Sequence, residues 1–402
     1  MTRVLEAWFE GVHVGQFLQD ERDTQFVYDS AAPESPITLS LPRSGTASRN
    51  AASNYLENLL PDADNARLWM KRVTGAASTE PFDLLEKVGG DVAGGLVLLP
   101  EGEQVPDRDE LLDPATDDQI AERIHTLKRD RDMWLDPDGH ARFSMAGTQG
   151  KFALADIDGD WYWSNARLPS THILKPGNPK DVGVEQLERS SLDLARAAGI
   201  GAAFGSILST LGESAYIVSR FDRIDGRRIH AEDFAQASGT PPAMKYRMTA
   251  RQAIELLRTV DPDDGLGHEF VRQLAFNTML GNADAHAKNY SLIVRPTGIV
   301  LAPLYDSIPT MLWPDYDNGL AMKIGGARFA PQVTIDHWRK LAETSGLDPD
   351  SVTAEVAQIA AAMGENLQLL QEGVSENQAA RVSELVRRNI EKITSPKPAG
   401  RS

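Results

Sequence analysis

Cysteine is absent from this chain of 402 residues. Disulfide bonds and thiolate metal sites are therefore excluded, and a reducing compartment, the cytoplasm, is the default expectation. The chain also lacks an apolar run of about 18 residues, so no membrane span is predicted. Its first residues, MTRVLEAWFEGV, do not place a basic segment before an apolar one, which predicts that there is no signal peptide.

Positive charge is scarce as well. Lysine and arginine number 41 against 58 aspartates and glutamates, and the net charge is −17. Because an acidic chain repels phosphate backbones, direct binding to nucleic acid is a poor expectation. The apolar content of 41% and charged content of 25% are typical of globular proteins, and the length predicts two or three domains.

Residues 1–110 show the pattern of a small α/β domain. Glu10-Gly11 has the chemistry of a hairpin turn, and SPITLSLP at 35–42 alternates apolar and polar residues as a half-buried strand does. A further strand is predicted at 96–99. Residues 101–135 are charged and weakly patterned, apart from a predicted helix at 117–129, and are interpreted as a link to a second domain.

Residues 138–222 are rich in strand patterns. ARFSMAGTQGKFALADIDGDWYWSN predicts three strands with a glycine turn and an Asp-Gly turn between them, and THILKP predicts a short strand. From 223 to 395 the pattern is mainly helical, and the tail at 396–402 is predicted to be disordered. The expected class is α+β.

GNADAHAKNYS, at 281–291, follows a long apolar helix pattern and precedes a predicted hairpin that ends near Asp306. The order is thus helix, polar loop, hairpin and Asp. In protein kinases a catalytic Asp precedes a metal-binding Asn by five residues, and a hairpin separates that Asn from the metal-binding Asp. Asp284, Asn289 and Asp306 reproduce this order and spacing. Alone, the spacing is weak, because an Asp in a helix-ending turn and an Asn in an Asx turn would explain it equally well.

The N-terminal half supplies candidates for an ATP site. Gly147 and Gly150 lie in a turn between strands, where glycines let backbone N–H groups approach phosphates. Lys175 ends an apolar strand, and Glu188 on the next helix is the expected ion-pair partner. Backbone groups near Ser219 and Phe221 are expected to contact the adenine. Each assignment has an alternative without an ATP site. The glycines would then only form a hairpin turn, the lysine would lie on an edge strand, the glutamate would be solvated, and the segment near Ser219 would be a turn between domains.

FSMAGTQGKFAL, THILKP, RFDR, GNADAHAKNYSL and LAPLYDS together resemble the HipA family of toxin–antitoxin kinases. The N-terminal LSLP, NLLPD and PFDLLEKVGGDVAGG resemble the family's N-terminal subdomain, so the resemblance spans about residues 3 to 390. It implies a two-lobed, protein-kinase-like fold with an extra N-terminal α/β subdomain and a mainly helical C-terminal lobe. It also implies serine/threonine kinase activity with ATP and Mg²⁺.

The resemblance assigns roles to residues. Asp284 becomes the catalytic Asp, Asn289 and Asp306 become the Mg²⁺ ligands, and Ser144 becomes an inhibitory autophosphorylation site. His286 stands where protein kinases carry a lysine, and we hypothesise that it points toward the phosphates as a second catalytic residue. The implied ATP-binding residues are Ser144, Met145, Ala146, Gly147, Thr148, Gln149, Gly150, Lys151, Lys175, Glu188, Ser219, Phe221, Lys288 and Tyr305.

Partners are implied in the same way. The expected antitoxin is a HipB-like helix-turn-helix protein, with operator DNA contacted only through it, which agrees with the acidic charge of this chain. Its complex is expected to associate with the nucleoid and to act as a corepressor. The expected substrate is an aminoacyl-tRNA synthetase or another translation protein, whose phosphorylation would promote growth arrest and persistence.

Two other functions remain open. A small-molecule phosphotransferase of the aminoglycoside-kinase type uses a similar Asp, Asn and Asp, but its loop usually begins His-Gly-Asp, whereas this loop has Asn282-Ala283-Asp284. An inactive kinase fold kept as a corepressor scaffold is the second. It has little support, since the three phosphoryl-transfer residues and Lys175 are all present.

Overall fold

The computed structural model describes residues 2–21, 23–30, 32–44, 46–106, 112–137, 143–178, 180–295 and 297–394. The chain forms two compact units. Unit one comprises Met1–Lys180, Gly205–Met244 and Ser291–Gly298, and unit two comprises Asp181–Phe204, Lys245–Tyr290 and Ile299–Ser402. The domain boundaries predicted from the sequence stay predictions, and the predicted tail at 396–402 lies outside the described residues.

Strands and helices alternate irregularly along the chain, as expected for an α+β protein. The strands are β1 Arg3–Phe9, β2 Val12–Gln19, β3 Thr24–Tyr28, β4 Leu96–Pro100, β5 Phe152–Ile157, β6 Asp160–Trp163, β7 His172–Lys175, β8 Gly205–Thr210, β9 Glu213–Ser219, β10 Arg223–Ile224, β11 Arg227–Arg228, β12 His230–Asp233, β13 Ser291–Arg295, β14 Gly298–Leu301, β15 Gly319–Ile324 and β16 Ala327–Phe329. The α-helices are α1 Ala51–Asn58, α2 Asp64–Thr74, α3 Pro81–Val88, α4 Asp117–Arg129, α5 Val184–Ala197, α6 Phe234–Ala237, α7 Ala250–Arg258, α8 Gly265–Leu280, α9 Ile335–Ser345, α10 Pro349–Glu365 and α11 Glu376–Thr394.

The first sheet of unit one has the order β3-β2-β1-β4 and is antiparallel. Its first hairpin turns at Glu10 and Gly11, both with positive φ, which matches the twist of the flanking strands. Alternate residues such as Leu5, Ala7 and Phe17 are fully buried against α1 and α3. The predicted hairpin, the predicted strand at 96–99 and the predicted helix at 117–129 are confirmed.

The second sheet of unit one has the order β6-β5-β7-β9-β8. The strands β5 and β6 join at the predicted Asp-Gly turn, Asp158-Gly159, where both residues have positive φ. The strand β7 lies between β5 and β9 and pairs Lys175 with Tyr216. This sheet therefore contains the strands that were predicted after the glycine turn of the nucleotide-binding region.

The strand predicted at 35–42 is wrong, because the segment forms turns. Several of its backbone donors are satisfied by side chains instead of by a neighbouring strand. The N–H of Ile37 donates to the Tyr28 phenol at 2.9 Å, and the N–H of Leu39 donates to Glu232 Oε1 at 3.1 Å. Such side-chain bonds compete with a sheet ladder even where the residue pattern alternates.

Two more predictions need correction. The strand expected before the glycine turn is absent over Phe143–Ala146, which has no regular structure, while 141–142 lie outside the described residues. The backbone there is held by isolated contacts, such as Ser144 N–H to Asp91 O at 2.9 Å. The mainly helical region predicted from residue 223 begins later than expected, because the short strands β10, β11 and β12 precede the first helix.

Glu232, on β12, is a fully buried carboxyl group whose pKa burial raises to about 8. The Thr38 hydroxyl and the Leu39 N–H lie against it and partly oppose the increase, while neighbouring Asp233 adds to it. Between pH of about 5 and about 8, the folded state therefore holds a proton that the unfolded chain has released. Raising the pH through this window lowers the free energy of unfolding.

We expect Glu232→Gln to flatten this pH dependence. The wild type should lose up to about 1.4 kcal/mol of unfolding free energy for each pH unit in the window, because this single carboxyl titrates. The glutamine variant has no proton to release there. Urea unfolding measured at pH 5.5, 7 and 8.5 tests this, and parallel curves for the two proteins would refute the assignment.

Unit two is mainly helical around α8, which packs against α7, α10 and α11. Most of α8 is buried, including Phe270, Leu274 and Met279. A bridge between Ala202 and Leu304 connects the chain after α5 to the segment that leads to Asp306. Within the described parts of the chain, no helix combines the length and the apolar character needed to cross a membrane.

Candidate active site

The loop at 282–290 begins where α8 ends. Gly281 adopts φ +82, and its N–H bonds back to Thr278 O at 3.3 Å, while the Asn282 N–H bonds to Asn277 O at 2.9 Å. A left-handed residue is the usual end of a helix, and glycine adopts it without strain. A Cβ at Gly281 would lie 2.9 Å from Leu385 Cδ2. The glycine thus sets the direction in which the loop leaves the helix.

Asn277, a buried residue of α8, forms hydrogen bonds with both ends of the loop and with Ser307. Its Oδ1 accepts from Asn282 Nδ2 at 3.0 Å and from Ser307 Oγ at 2.6 Å, and its Nδ2 donates to the Tyr290 hydroxyl at 3.2 Å. Burial raises the pKa of Tyr290, which keeps that phenol neutral. One buried amide therefore fixes both ends of the loop and the residue after Asp306.

Side chains of the loop bond to its own backbone. Asn282 Oδ1 accepts the Asp284 N–H at 3.1 Å, and Asn289 Oδ1 accepts the His286 N–H at 3.1 Å. The His286 Nδ1 accepts the Lys288 N–H at 3.3 Å, so its ring lies over the short 3₁₀ turn Ala287–Asn289. These bonds make the turn compact, with Asp284 half-buried and His286 buried. The direction of His286 toward phosphates stays a prediction.

Asn289 and Asp306 meet in space although 17 residues separate them. Asn289 Nδ2 donates to Asp306 Oδ2 at 2.9 Å. Asp306 has φ +54, a left-handed conformation that is strained for most residues other than glycine, although less so for aspartate. Strain of this kind is common at functional sites, where it aims a side chain. The bond between Leu304 N–H and Gly201 O, at 2.8 Å, anchors the chain two residues earlier.

The side chains at this pair suit magnesium. An amide oxygen and a carboxylate are ligands that Mg²⁺ prefers, and Mg²⁺ commonly takes only one or two of them from protein when phosphates supply the rest. Among the described residues, no cluster of three or more His, Cys, Asp or Glu side chains could hold a metal ion. Asn289 and Asp306 therefore fit a metal shared with a nucleotide better than a protein-only metal site.

Two further predicted residues contact each other here, Lys288 within the loop and Tyr305 beside it. The Tyr305 hydroxyl donates to Lys288 O at 2.8 Å, which holds the turn from the side of Asp306. Lys288 itself is buried. Unit two thus brings together Asp284, His286, Lys288, Asn289, Tyr305 and Asp306.

The glycine loop lies in unit one, against the end of α1. Ser144 is buried, and its Oγ donates to Leu59 O at 2.7 Å. Gly147, with φ +111, accepts the Asp62 N–H at 3.0 Å. A Cβ at Gly150 would lie 2.7 Å from Arg131 O, so a larger residue does not fit there. Lys151 Nζ bonds to Ala146 O at 2.9 Å, so this bond spans the turn Gly147-Thr148-Gln149-Gly150.

The remaining predicted ATP residues fall in both units. Lys175 is buried at the end of β7, and Ser219 on β9 bonds to His172 through its hydroxyl at 3.0 Å. Phe221, two residues beyond Ser219, is half-buried. Glu188 is buried on α5 in unit two, so its pairing with Lys175 stays a prediction.

Asp91 forms the centre of a buried ion cluster that sequence reasoning missed. It lies in GGDVAGG, and its Oδ1 bonds to Arg223 at 2.9 Å, with Arg220 and Arg228 at 3.8 Å. Asp222 pairs with Arg220 at 2.7 Å. Burial alone would raise the pKa of Asp91, but the three arginines hold it below its ordinary value. The RFDR motif, which includes the predicted adenine contact Phe221, thus also connects to GGDVAGG within unit one.

Tyr246 was missed as well. Its phenol donates to Asp284 Oδ1 at 2.6 Å, and its ring contacts that of His286 edge to face at 4.9 Å. Tyr246 and Asp284 are 38 residues apart, so no local sequence pattern indicates that they are in contact. Asn277 could have been found, because a polar residue inside the apolar helix segment QLAFNTML needs a buried partner.

Comparison with known proteins agrees with this organisation. The HipA N-terminal domain model matches residues 5–99, and the HipA-like C-terminal domain model matches residues 143–367. A protein named "Putative kinase Y4mE" from Sinorhizobium fredii is 35% identical over 86% of each chain. The serine/threonine-protein kinase toxin HipA of Shewanella oneidensis is 28% identical over 72% of this chain and 70% of its own.

A solved structure has the same fold. HipA of Shewanella oneidensis, in a complex with HipB and operator DNA, superposes with a TM-score of 0.83 over 97% of each chain at 24% identity. The fold is therefore the protein-kinase-like α+β fold of HipA, as predicted. The chain belongs to the HipA family of kinase toxins.

Proposed function

We propose that this protein is an ATP- and Mg²⁺-dependent serine/threonine protein kinase toxin of a toxin–antitoxin system. The observation that supports it best is the 2.9 Å contact of Asp306 with Asn289, which lies on the same loop as Asp284. The name of the Shewanella oneidensis relative supports the specificity for serine and threonine.

Asp284 is the proposed base. As a serine or threonine hydroxyl of the substrate attacks the γ-phosphorus of ATP, its oxygen forms the new P–O bond and the bond to the ADP oxygen breaks. The proton of the hydroxyl passes to the Asp284 carboxylate. The half-buried position of Asp284 lets a bulky acceptor reach it, while the bond from the Asn282 side chain to its N–H fixes its backbone.

The remaining residues would bind the nucleotide. Asn289 and Asp306 would hold Mg²⁺, which supplies positive charge to the phosphates when it is bound. Lys175, at the end of β7, and Lys288, within the 3₁₀ turn, would add positive charge for the phosphates. The glycine loop would offer backbone N–H groups to phosphate, because Gly147 and Gly150 have no side chain that blocks a close approach.

The proposed cellular role follows the family. The partner would be a HipB-like helix-turn-helix antitoxin, because the solved HipA structure contains HipB and operator DNA. With a net charge of −17, this chain would contact DNA through that antitoxin and act as a corepressor. It would work in the cytoplasm, at the nucleoid when in complex. The substrate would be an aminoacyl-tRNA synthetase or another translation protein.

Transfer of labelled γ-phosphate from ATP tests the activity. Purified protein with Mg²⁺ should label serine or threonine in itself and in one or a few proteins of a cell lysate, and EDTA should abolish this. Labelling of a small molecule alone would favour a small-molecule phosphotransferase. Absence of any transfer would leave the protein as a scaffold and refute the proposal.

Ser144 is the proposed inhibitory autophosphorylation site. Its buried Oγ, bonded to Leu59 O, leaves no room for a phosphate that adds roughly −1.5 to −2 charges. A phosphorylated loop would therefore have to leave its position against α1. The Ser144 hydroxyl must first be released from this contact to reach a phosphate.

We expect Ser144→Ala to remain active over time, while wild-type activity decreases as phosphate accumulates. Ser144→Asp should lose at least about tenfold in transfer, since a buried charge costs more than one hydrogen bond. Ser164→Ala removes another buried serine of unit one and serves as the control. An activity time course measures the rate of transfer, and mass spectrometry of the same samples measures how much of residue 144 is phosphorylated. Unchanged activity at full phosphorylation would rule out the inhibition.

A further inference from the structure

Tyr246 is a half-exposed tyrosine in the turn before α7, with 52% of its surface accessible. Its hydroxyl donates to Asp284 Oδ1 at 2.6 Å. A distance this short is typical of a hydroxyl that donates to an ionised carboxylate, which is one of the stronger hydrogen bonds in proteins. The phenol therefore holds one oxygen of the proposed base.

The phenol is itself held in place. The Ala287 N–H donates to Lys245 O at 3.3 Å. This bond connects the turn that carries Tyr246 to the loop at 282–290 through the main chain. The Tyr246 ring lies edge to face with His286, at an interplanar angle of 85°. The ammonium of Lys245 lies 5.3 Å from the centre of the Tyr246 ring. Despite its exposure, the ring thus has contacts in several directions.

We propose that Tyr246 is a positioning residue for Asp284, which rests on the proposed kinase function. By fixing Oδ1, the phenol sets the rotation of the carboxylate and hence the direction in which it receives the acceptor proton. Small errors in such a direction reduce transfer strongly, since a base must lie within hydrogen-bond reach of the proton.

Tyr246→Phe tests the role, because it removes the hydroxyl and keeps the ring. We expect kcat for transfer to decrease roughly tenfold, as for the loss of one strong hydrogen bond. The KM for ATP and the unfolding midpoint should not change, because the ring contacts persist. A purely structural role would not separate kcat from KM in this way.

Tyr316→Phe is the matched control. Tyr316 is also an exposed tyrosine of unit two, and its hydroxyl also donates to a carboxylate, Asp181 Oδ2 at 3.2 Å. It should retain wild-type kcat.

The outcomes separate the two proposals. An active wild type with an equally active Tyr246→Phe overturns the positioning role and leaves the kinase function standing. A more active variant also overturns it, because the phenol would then be blocking the base. An inactive wild type overturns the kinase function and this role together.

Discussion

Asp284→Asn should reduce phosphoryl transfer by about 10²–10⁴-fold while the protein stays folded. An amide has nearly the shape of the carboxylate, but it does not accept the hydroxyl proton, and a positioned general base contributes a factor of this size. The bond from the Asp284 backbone N–H to Asn282 Oδ1 does not involve the Asp284 carboxylate, so it persists in the variant. Initial rates of γ-phosphate transfer at saturating ATP and Mg²⁺ measure the effect.

Asp315→Asn provides the control, since Asp315 is an exposed aspartate of the same unit. It removes the same charge from the surface and should keep the wild-type rate. Near-normal transfer by Asp284→Asn would show that another group accepts the proton. A loss shared with Asp315→Asn would point to net charge instead of catalysis.

Asp91→Asn should destabilise unit one by about 3–5 kcal/mol, the cost of breaking a buried ion pair by removing one partner. Asp91 is completely buried, and Arg223 donates to it at 2.9 Å. With the carboxylate gone, the three buried guanidinium groups would lose the carboxylate that all three share, while Asp222 still pairs with Arg220 and Arg223. The Asp91 side chain also accepts the Ser170 N–H at 3.1 Å. The chain segment that leads into β7 should therefore lose a hydrogen bond and be destabilised as well.

Urea unfolding followed by the fluorescence of tryptophans measures this change, because Trp134 and Trp163 are buried in unit one. The exposed Asp160→Asn is the control and should shift the midpoint little. A variant of Asp91 as stable as this control would show that the arginines find water or other acceptors. The cluster would then be a minor feature of the fold.

Local patterns were enough for much of the fold. The helix α8, the Glu10-Gly11 hairpin and the Asp158-Gly159 turn follow from apolar periodicity and from turn residues with positive φ. The order of helix, polar loop, hairpin and Asp likewise indicated which side chains of unit two would meet. Such features depend on neighbours in sequence, and the sequence shows those directly.

Contacts between distant segments were not predictable in this way. The segment at 35–42 alternates as a strand does, but the Glu232 carboxyl, nearly 200 residues away, takes its backbone N–H. The arginine partners of Asp91 lie 129 or more residues further along the chain. One sequence does not show which charges pair across such distances, so the ion cluster and Tyr246 became visible only in the structure.

A crystal structure with Mg²⁺ and a non-hydrolysable ATP analogue tests the central claim most directly. We predict one Mg²⁺ at about 2.0–2.1 Å from an Asn289 side-chain oxygen and from an Asp306 oxygen. The γ-phosphate should face Asp284. Metal and triphosphate bound away from these three side chains would contradict the account.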